Sequence, residues 1–216
     1  MSDAPVKRTC MRDQIRDRLI ARILDGTYPA GTQLKELTLA REFNVSQAPI
    51  REALRELEGS GLVRSERYRG TRVLGADPGE MRESYELRTM LEVRSVELAV
   101  PCSPEIMADL SRCVATMSSA ANAEDSERYI DAALQFHRGL VRASGNRTFL
   151  NVWDSLHWDV RGRVALRRIA EQGRGLRPFV RLHRTLLSRL RARKAREAAA
   201  SARAILERVS AVFSPE

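Results

Sequence analysis

Only three histidines occur in the 216 residues, His137, His157 and His183, and all stand in the C-terminal half. An imidazole can trade a proton near neutrality, hold a divalent metal or hydrogen-bond an organic anion. Acid–base catalysis by His137 or His183 would need a partnered nucleophile, a glycine-rich phosphate loop or a complete metal set, and none is in the sequence. That pattern excludes an enzyme and leaves anion binding. Arg88 can supply charge-assisted hydrogen bonds to a carboxylate, and Glu92, one helical turn on, can claim the same arginine as an ion pair. Asn146 can donate to a ligand or cap the helix that follows it.

A second group has different chemistry. Ser46, Gln47, Ala48, Arg51 and Arg55 fall on or near one N-terminal helix face, with Lys35 ahead of them and Arg67, Arg69, Gly70 and Arg72 behind. Arginine pairs with guanine O6 and N7, glutamine with adenine N6 and N7, and basic side chains meet phosphates. These residues read as a DNA-contacting surface. The alternative is the same surface contacting protein, which the clustering of basic residues disfavours.

The elements that must position them are legible. In Thr38 to Val63 the apolar residues Leu39, Phe43, Val45, Ile50, Leu54 and Leu57 sit where a helix-turn-helix buries its inner faces. Asn44-Val45 makes the corner, Ser46 is placed to cap the second helix, and Pro49 lies in its first turn, where a missing N–H costs little. The runs 62–65 and 71–74 predict a hairpin wing with its tip at Glu66 to Gly70. Ahead of the motif, Ile15, Leu19, Ile20 and Ile23 mark a helix over 12–25. Helix, turn, helix, helix, hairpin is the order of a winged helix, which spans residues 1–75.

The remaining residues, 76–216, suffice for one further domain with its own core. Asp77 and Pro78 open a helix that stops before Pro101, Ser103-Pro104 opens a second to about Ala121, and a third covers Ser126 to Ser144. Thr148 to Ala170 reads as a fourth, broken by Gln172 to Gly175, and Pro178 to Arg191 and Arg196 to Phe213 give two more. The fold class is therefore mainly α: a winged helix-turn-helix, then an antiparallel all-helical bundle of about six helices. A net charge of +9 does not by itself imply nucleic acid. No apolar run approaches the ~20 residues of a membrane span. The N-terminus lacks the apolar core of a signal peptide, so a cytoplasmic protein is expected. Cys10, Cys102 and Cys113 lack metal spacing and read as reduced thiols. The arginines from Arg161 onward are expected either on a solvated face or against the acidic helices before them, within the bundle or across a dimer interface.

The succession Asp25 to Gly31, Leu34, Leu39-Ala40, Val45-Ser46, Pro49 to Leu54, Leu57 and Gly61-Leu62-Val63 resembles the N-terminal domain of GntR-superfamily transcription regulators. The resemblance implies that Arg51 contacts DNA. Gln47 stands where many members carry a guanine-reading arginine, so the half-site is expected to differ at that base. Glu86-Leu87-Arg88 with Glu92, Phe136-His137, Ala143 to Asn146 and His183 are similar to the all-helical FCD-like effector domain of the FadR-type branch. Together the halves imply a homodimeric repressor or activator, bound to double-stranded operator DNA and controlled by a small molecule, expected to be a carboxylate held by Arg88, His137, Asn146 and His183.

Many members of that branch hold a divalent metal with one carboxylate and three histidines. By the resemblance the carboxylate position here is Ala133, the first two histidines are His137 and His183, and the third position is Ile205. Two neutral imidazoles fall short of the usual three or four donors. The resemblance therefore implies no metal cofactor and a direct anion pocket. The alternative is a metal-dependent regulator in which His157 joins His137 and His183, with Asp131 a weaker candidate.

Overall fold

The computed structural model describes residues 10–66, 69–74, 77–156, 158–172 and 175–214. Arg67, His157, the positions Gly75 and Ala76 at the expected domain boundary and part of the predicted break after Ala170 lie outside them. The chain divides into two compact units, Met1–Ala76 and Asp77–Glu216.

In the first unit, α1 (Met11–Leu24) is followed by β1 (Gln33–Leu34), α2 (Glu36–Phe43), α3 (Gln47–Gly59), β2 (Val63–Glu66) and β3 (Gly70–Val73). Ile15, Leu19, Ile20 and Ile23 of α1 are buried with Leu39 of α2 and Ile50, Leu54 and Leu57 of α3, as their helical spacing requires. Phe43 and Val45 are only half-buried. β1, which has no strand signature, pairs antiparallel with β3, while β3 pairs with β2, so the sheet order is β1-β3-β2. The wing is thus anchored to the segment just before α2.

The second unit contains α4 (Pro78–Ala99), α5 (Pro104–Asn122), α6 (Ser126–Ala143), α7 (Arg147–Ser155), α8 (Trp158–Glu171), α9 (Arg177–Arg191) and α10 (Ala195–Ser210), and a 3-10 turn over Ala211–Phe213. Local caps set the starts. The Glu80 N–H donates to Asp77 Oδ1 at 2.8 Å, and the Ile106 N–H donates to Ser103 Oγ at 3.3 Å.

Among the described residues seven α-helices stand where about six were expected, because the segment read as one helix from Thr148 to Ala170 forms two. No glycine or proline marks the junction. Trp153 and Trp158 are both buried, and five residues apart on one continuous helix they would point about 140° away from each other. Breaking the helix lets both indoles enter the same interior. The inner face of α4 also departs from its apolar pattern: Arg88, Thr89, Glu92 and Ser95 are buried beside Met81, Tyr85 and Val96. Thr89 and Ser95 satisfy their hydroxyls on the carbonyls of Tyr85 and Leu91.

Candidate nucleic-acid interface and buried effector site

The turn between α2 and α3 places the recognition residues. Asn44 takes the left-handed conformation (φ 55°, ψ 49°), which asparagine tolerates, and the Val45 N–H closes on Ala40 O at 2.9 Å. Ser46 occupies the N-cap position of α3, but its side chain makes no capping hydrogen bond. Capping was therefore the wrong role for its hydroxyl, which stays exposed beside Gln47 and Ala48. Arg51 and Arg55 share the exposed side of α3, opposite buried Ile50, Ala53, Leu54 and Leu57.

Arg51 is held within its own unit. Its Nε donates to Glu36 Oε1 at 3.0 Å, and its Nη2 donates to Oε2 at 2.7 Å. In the wing, Arg72 Nε donates to Glu66 Oε1 at 2.5 Å and Gln33 Nε2 to Glu66 Oε2 at 2.9 Å, so Arg72 is ion-paired within the sheet. Arg69 and Lys35 are exposed. Gly70 has φ +93°, and a Cβ there would meet Leu34 O at 3.0 Å, so the β1-β3 pairing itself demands glycine. Neither Glu36 nor Glu66 was expected from the sequence, since each acts through a partner distant along the chain.

In the helical unit, sequence reasoning named Arg88, His137 and His183 but gave Glu92 only an ion-pair role. Glu92 is the hub. Its fully buried carboxylate accepts from Arg88 Nε at 2.5 Å, from Trp153 Nε1 at 3.1 Å and faces His137 Nδ1 at 2.6 Å. His137 Nε2 lies 3.2 Å from His183 Nε2, and His183 Nδ1 lies 2.7 Å from Phe179 O. Arg88 stacks over Trp158, 4.5 Å from its ring centre. α4, α6, α7 and α9 thus each contribute to one hydrogen-bonded chain. Asn146 does not reach it: its Oδ1 accepts from Phe149 N at 3.1 Å and caps α7.

The partners fix the protons. A carbonyl only accepts, so His183 Nδ1 carries hydrogen and its Nε2 presents a lone pair. Burial first, then His137, press the His183 pKa from 6.5 down to about 3, so this ring is neutral. Glu92 is ionised: burial alone would raise its pKa, but Arg88 and His137 hold it well below the ordinary carboxylate range. His137 Nδ1 therefore donates to Glu92, and its Nε2 lies against the Nε2 of His183.

These shifts have the same sign for stability. Between the unfolded value of 6.5 and the folded value of about 3, the unfolded chain binds a proton at His183 that the folded chain refuses, so acid favours unfolding. Glu92 adds to the loss below the ordinary carboxylate range. Urea midpoints of the full chain should fall as pH drops from about 7 to about 5, and His183→Leu should flatten that fall. Parent midpoints that stay level over this interval would refute the buried neutral imidazole.

A cavity of about 20 Å³ adjoins the histidine pair, lined by Arg88, Tyr129, Ala133, His137, His183, Ile205 and apolar neighbours. It holds one water at most. The Tyr129 hydroxyl, in a fully buried side chain, has no hydrogen-bond partner among the described residues. Ala133 and Ile205 line this cavity together with both histidines, so hydrocarbon stands where the resemblance places a carboxylate and a third imidazole. No group of three or more metal-binding side chains occurs among the described residues. Two imidazoles and two hydrocarbon walls do not fit a divalent ion. Asp131 is on the surface, paired with Arg163. His157 lies outside the described residues.

Other candidates resolve into ordinary surface pairing. Arg163 and Arg167 reach Glu127 on α6 at 2.8 and 2.6 Å, so these basic residues meet the acidic helices inside the unit. A larger open concavity of about 490 Å³ on α5 and α6 is lined by Arg112, Arg138 and Arg142. Those three are paired with Asp109 or Asp154.

Comparison with known proteins agrees with both halves. The sequence pattern of the bacterial regulatory proteins of the gntR family matches residues 11–73, and that of the FCD domain matches residues 83–208. A probable D-xylose utilization operon transcriptional repressor of Paenarthrobacter nicotinovorans is 31% identical over 71% of this chain and 68% of its own length. The gluconate operon transcriptional repressor of Bacillus subtilis (strain 168) is 33% identical over 62% of this chain, a match spanning just over half (56%) of that relative. Among solved structures, E. coli McbR/YncC superposes with a TM-score of 0.75 at 22% identity, covering 95% of this chain and 97% of that one. No described helix is long and apolar enough to cross a membrane. With a winged helix presenting basic residues on its recognition helix and an FCD domain enclosing a buried polar site, the chain belongs to the GntR family of bacterial regulatory proteins and is a DNA-binding transcription regulator.

Proposed function

We propose that this regulator is a homodimeric repressor that binds a pseudo-palindromic operator and is released by a small organic acid bound, without a metal, in its helical unit. The observation that carries the reading is the polar chain Arg88–Glu92–His137–His183 ending at a cavity whose metal-ligand positions are Ala133 and Ile205. Such a site has hydrogen-bonding groups for an anion and no reacting group for catalysis. Arg88 and the Tyr129 hydroxyl, which has no partner among the described residues, are the groups that would donate to a carboxylate, and His137 and His183 line the same cavity. Repression is supported by the two operon repressors among the relatives.

The cavity of about 20 Å³ is far below the roughly 300–1,000 Å³ of small-molecule sites. An effector of that size must therefore part the walls to enter. That coupling is the regulatory device: a ligand that binds only the opened helices shifts their population. Leu87, Met90 and Leu98, exposed by 41%, 59% and 43% along α4, support pairing of two copies through that helix. Two copies present two recognition helices, which sets the spacing of the half-sites.

The test begins by selecting bound duplexes from a random pool with the full chain and measuring the mass of the complex by light scattering. Gluconate, xylose and a panel of monocarboxylates are then titrated against the selected duplex. We expect two protomers per duplex and one carboxylate that weakens binding by about 5–150-fold, an effect lost in Arg88→Met. A monomeric complex, or release by xylose but by no acid, would overturn the reading.

A further inference from the structure

Glu36 is the first residue of α2, and its carboxylate reaches across to the recognition helix. It holds Arg51 by three contacts: Nε to Oε1 at 3.0 Å, Nε to Oε2 at 3.1 Å and Nη2 to Oε2 at 2.7 Å. This engages one edge of the guanidinium. Five N–H donors are available to an arginine, so the end-on edge, one hydrogen from each Nη, remains able to meet a base. Among the described residues no such clamp holds the side chains of Gln47, Arg55, Arg69 or Lys35, although all are exposed in the same unit.

We propose that Glu36 is a specificity-determining residue for DNA recognition, acting by positioning Arg51 and by denying that arginine to the phosphate backbone. The proposal rests on the reading that Arg51 contacts a base. A free arginine is a poor discriminator, because its strongest available partners in DNA are phosphates, which are present at every register. Pairing with a carboxylate cancels much of its attraction for phosphate oxygens, which also meet repulsion from Glu36. A base edge presents neutral acceptors, so a base contact loses much less to that cancellation. The clamp also removes rotamer freedom before binding, leaving less to be lost on contact. The N-terminal end of α2 favours an anion at this position, and the hydrogen bond from Arg51 lowers the Glu36 pKa, which keeps the clamp charged. Arg55, Arg69 and Lys35, whose side chains make no hydrogen bond among the described residues, are left for the phosphates, dividing the surface into unclamped cations that attract and a restrained one that reads.

The test uses Glu36→Gln in the full chain, with the selected operator duplex and a scrambled duplex of equal length, by fluorescence anisotropy over a salt series. Affinity for the scrambled duplex should rise about 3–10-fold, and its salt slope should steepen by about one phosphate contact. The operator-to-scrambled ratio should fall at least as far. In an Arg51→Ala background the same substitution should leave the operator-to-scrambled ratio unchanged, since relief of the Glu36 charge then acts on both duplexes alike. An unchanged ratio in the parent background, or a fall in the ratio that persists without Arg51, would overturn the proposal while leaving the reading of Arg51 intact. Parental operator affinity in Arg51→Ala alone would instead remove the reading itself, and the proposal with it.

Discussion

Glu92→Ala is expected to destabilise the full chain by about 3–5 kcal/mol in urea unfolding. The reason is asymmetric. Arg88 is 3% exposed and Glu92 fully buried, so removing the carboxylate leaves a guanidinium in the interior with its charge uncompensated. The Trp153 indole N–H and His137 Nδ1 lose their acceptor at the same time. The stacking of Arg88 over Trp158 offsets little of this, being worth about 0.5–2 kcal/mol. Replacing both charges, Arg88→Met with Glu92→Leu, should recover most of the loss, since a buried ion pair exchanged for apolar side chains of similar volume is often close to neutral. If Glu92→Ala unfolds at the parental midpoint, the carboxylate is not the hub of this core. Recovery in the double variant with loss of effector response would show that the pair is kept for control more than for stability.

Arg51→Ala should weaken binding to the selected operator by about 1–3 kcal/mol, with the loss concentrated at one base position. The end-on edge of its guanidinium is free for a guanine, while Gln47, one turn earlier on the exposed face, suits adenine. Selection repeated with the variant should therefore relax a single position in each half-site. An even loss across all sequences, with a reduced salt slope, would show that Arg51 meets phosphate instead.

The first unit was legible because its signals are local. Asn44 at the left-handed corner, Pro49 in the first turn of α3 and the apolar spacing of α1 each act within a few residues. Asp77 and Ser103 announced the starts of α4 and α5 for the same reason. What was missed depends on partners far away in sequence. β1 is only two residues long and exists because β3 pairs with it. The break between α7 and α8 carries no turn residue and follows from where two indoles must go. On α4, Leu87 and Leu98 face outward, because the inner stripe is filled by Arg88, Thr89, Glu92 and Ser95. Apolar periodicity cannot find an interior built from polar groups that satisfy one another. Reading Arg88, Glu92 and Ser95 as a polar stripe at helical spacing could have located it.

Trp153 and Trp158 are the only tryptophans in the chain, and both rings lie against Arg88, at 5.8 and 4.5 Å from its guanidinium. The winged unit contains none. Indole emission, excited at wavelengths where tyrosine does not absorb, is therefore a native optical probe of the buried polar site: it registers a displaced guanidinium or an opened cavity without any label, and the winged unit contributes nothing to it.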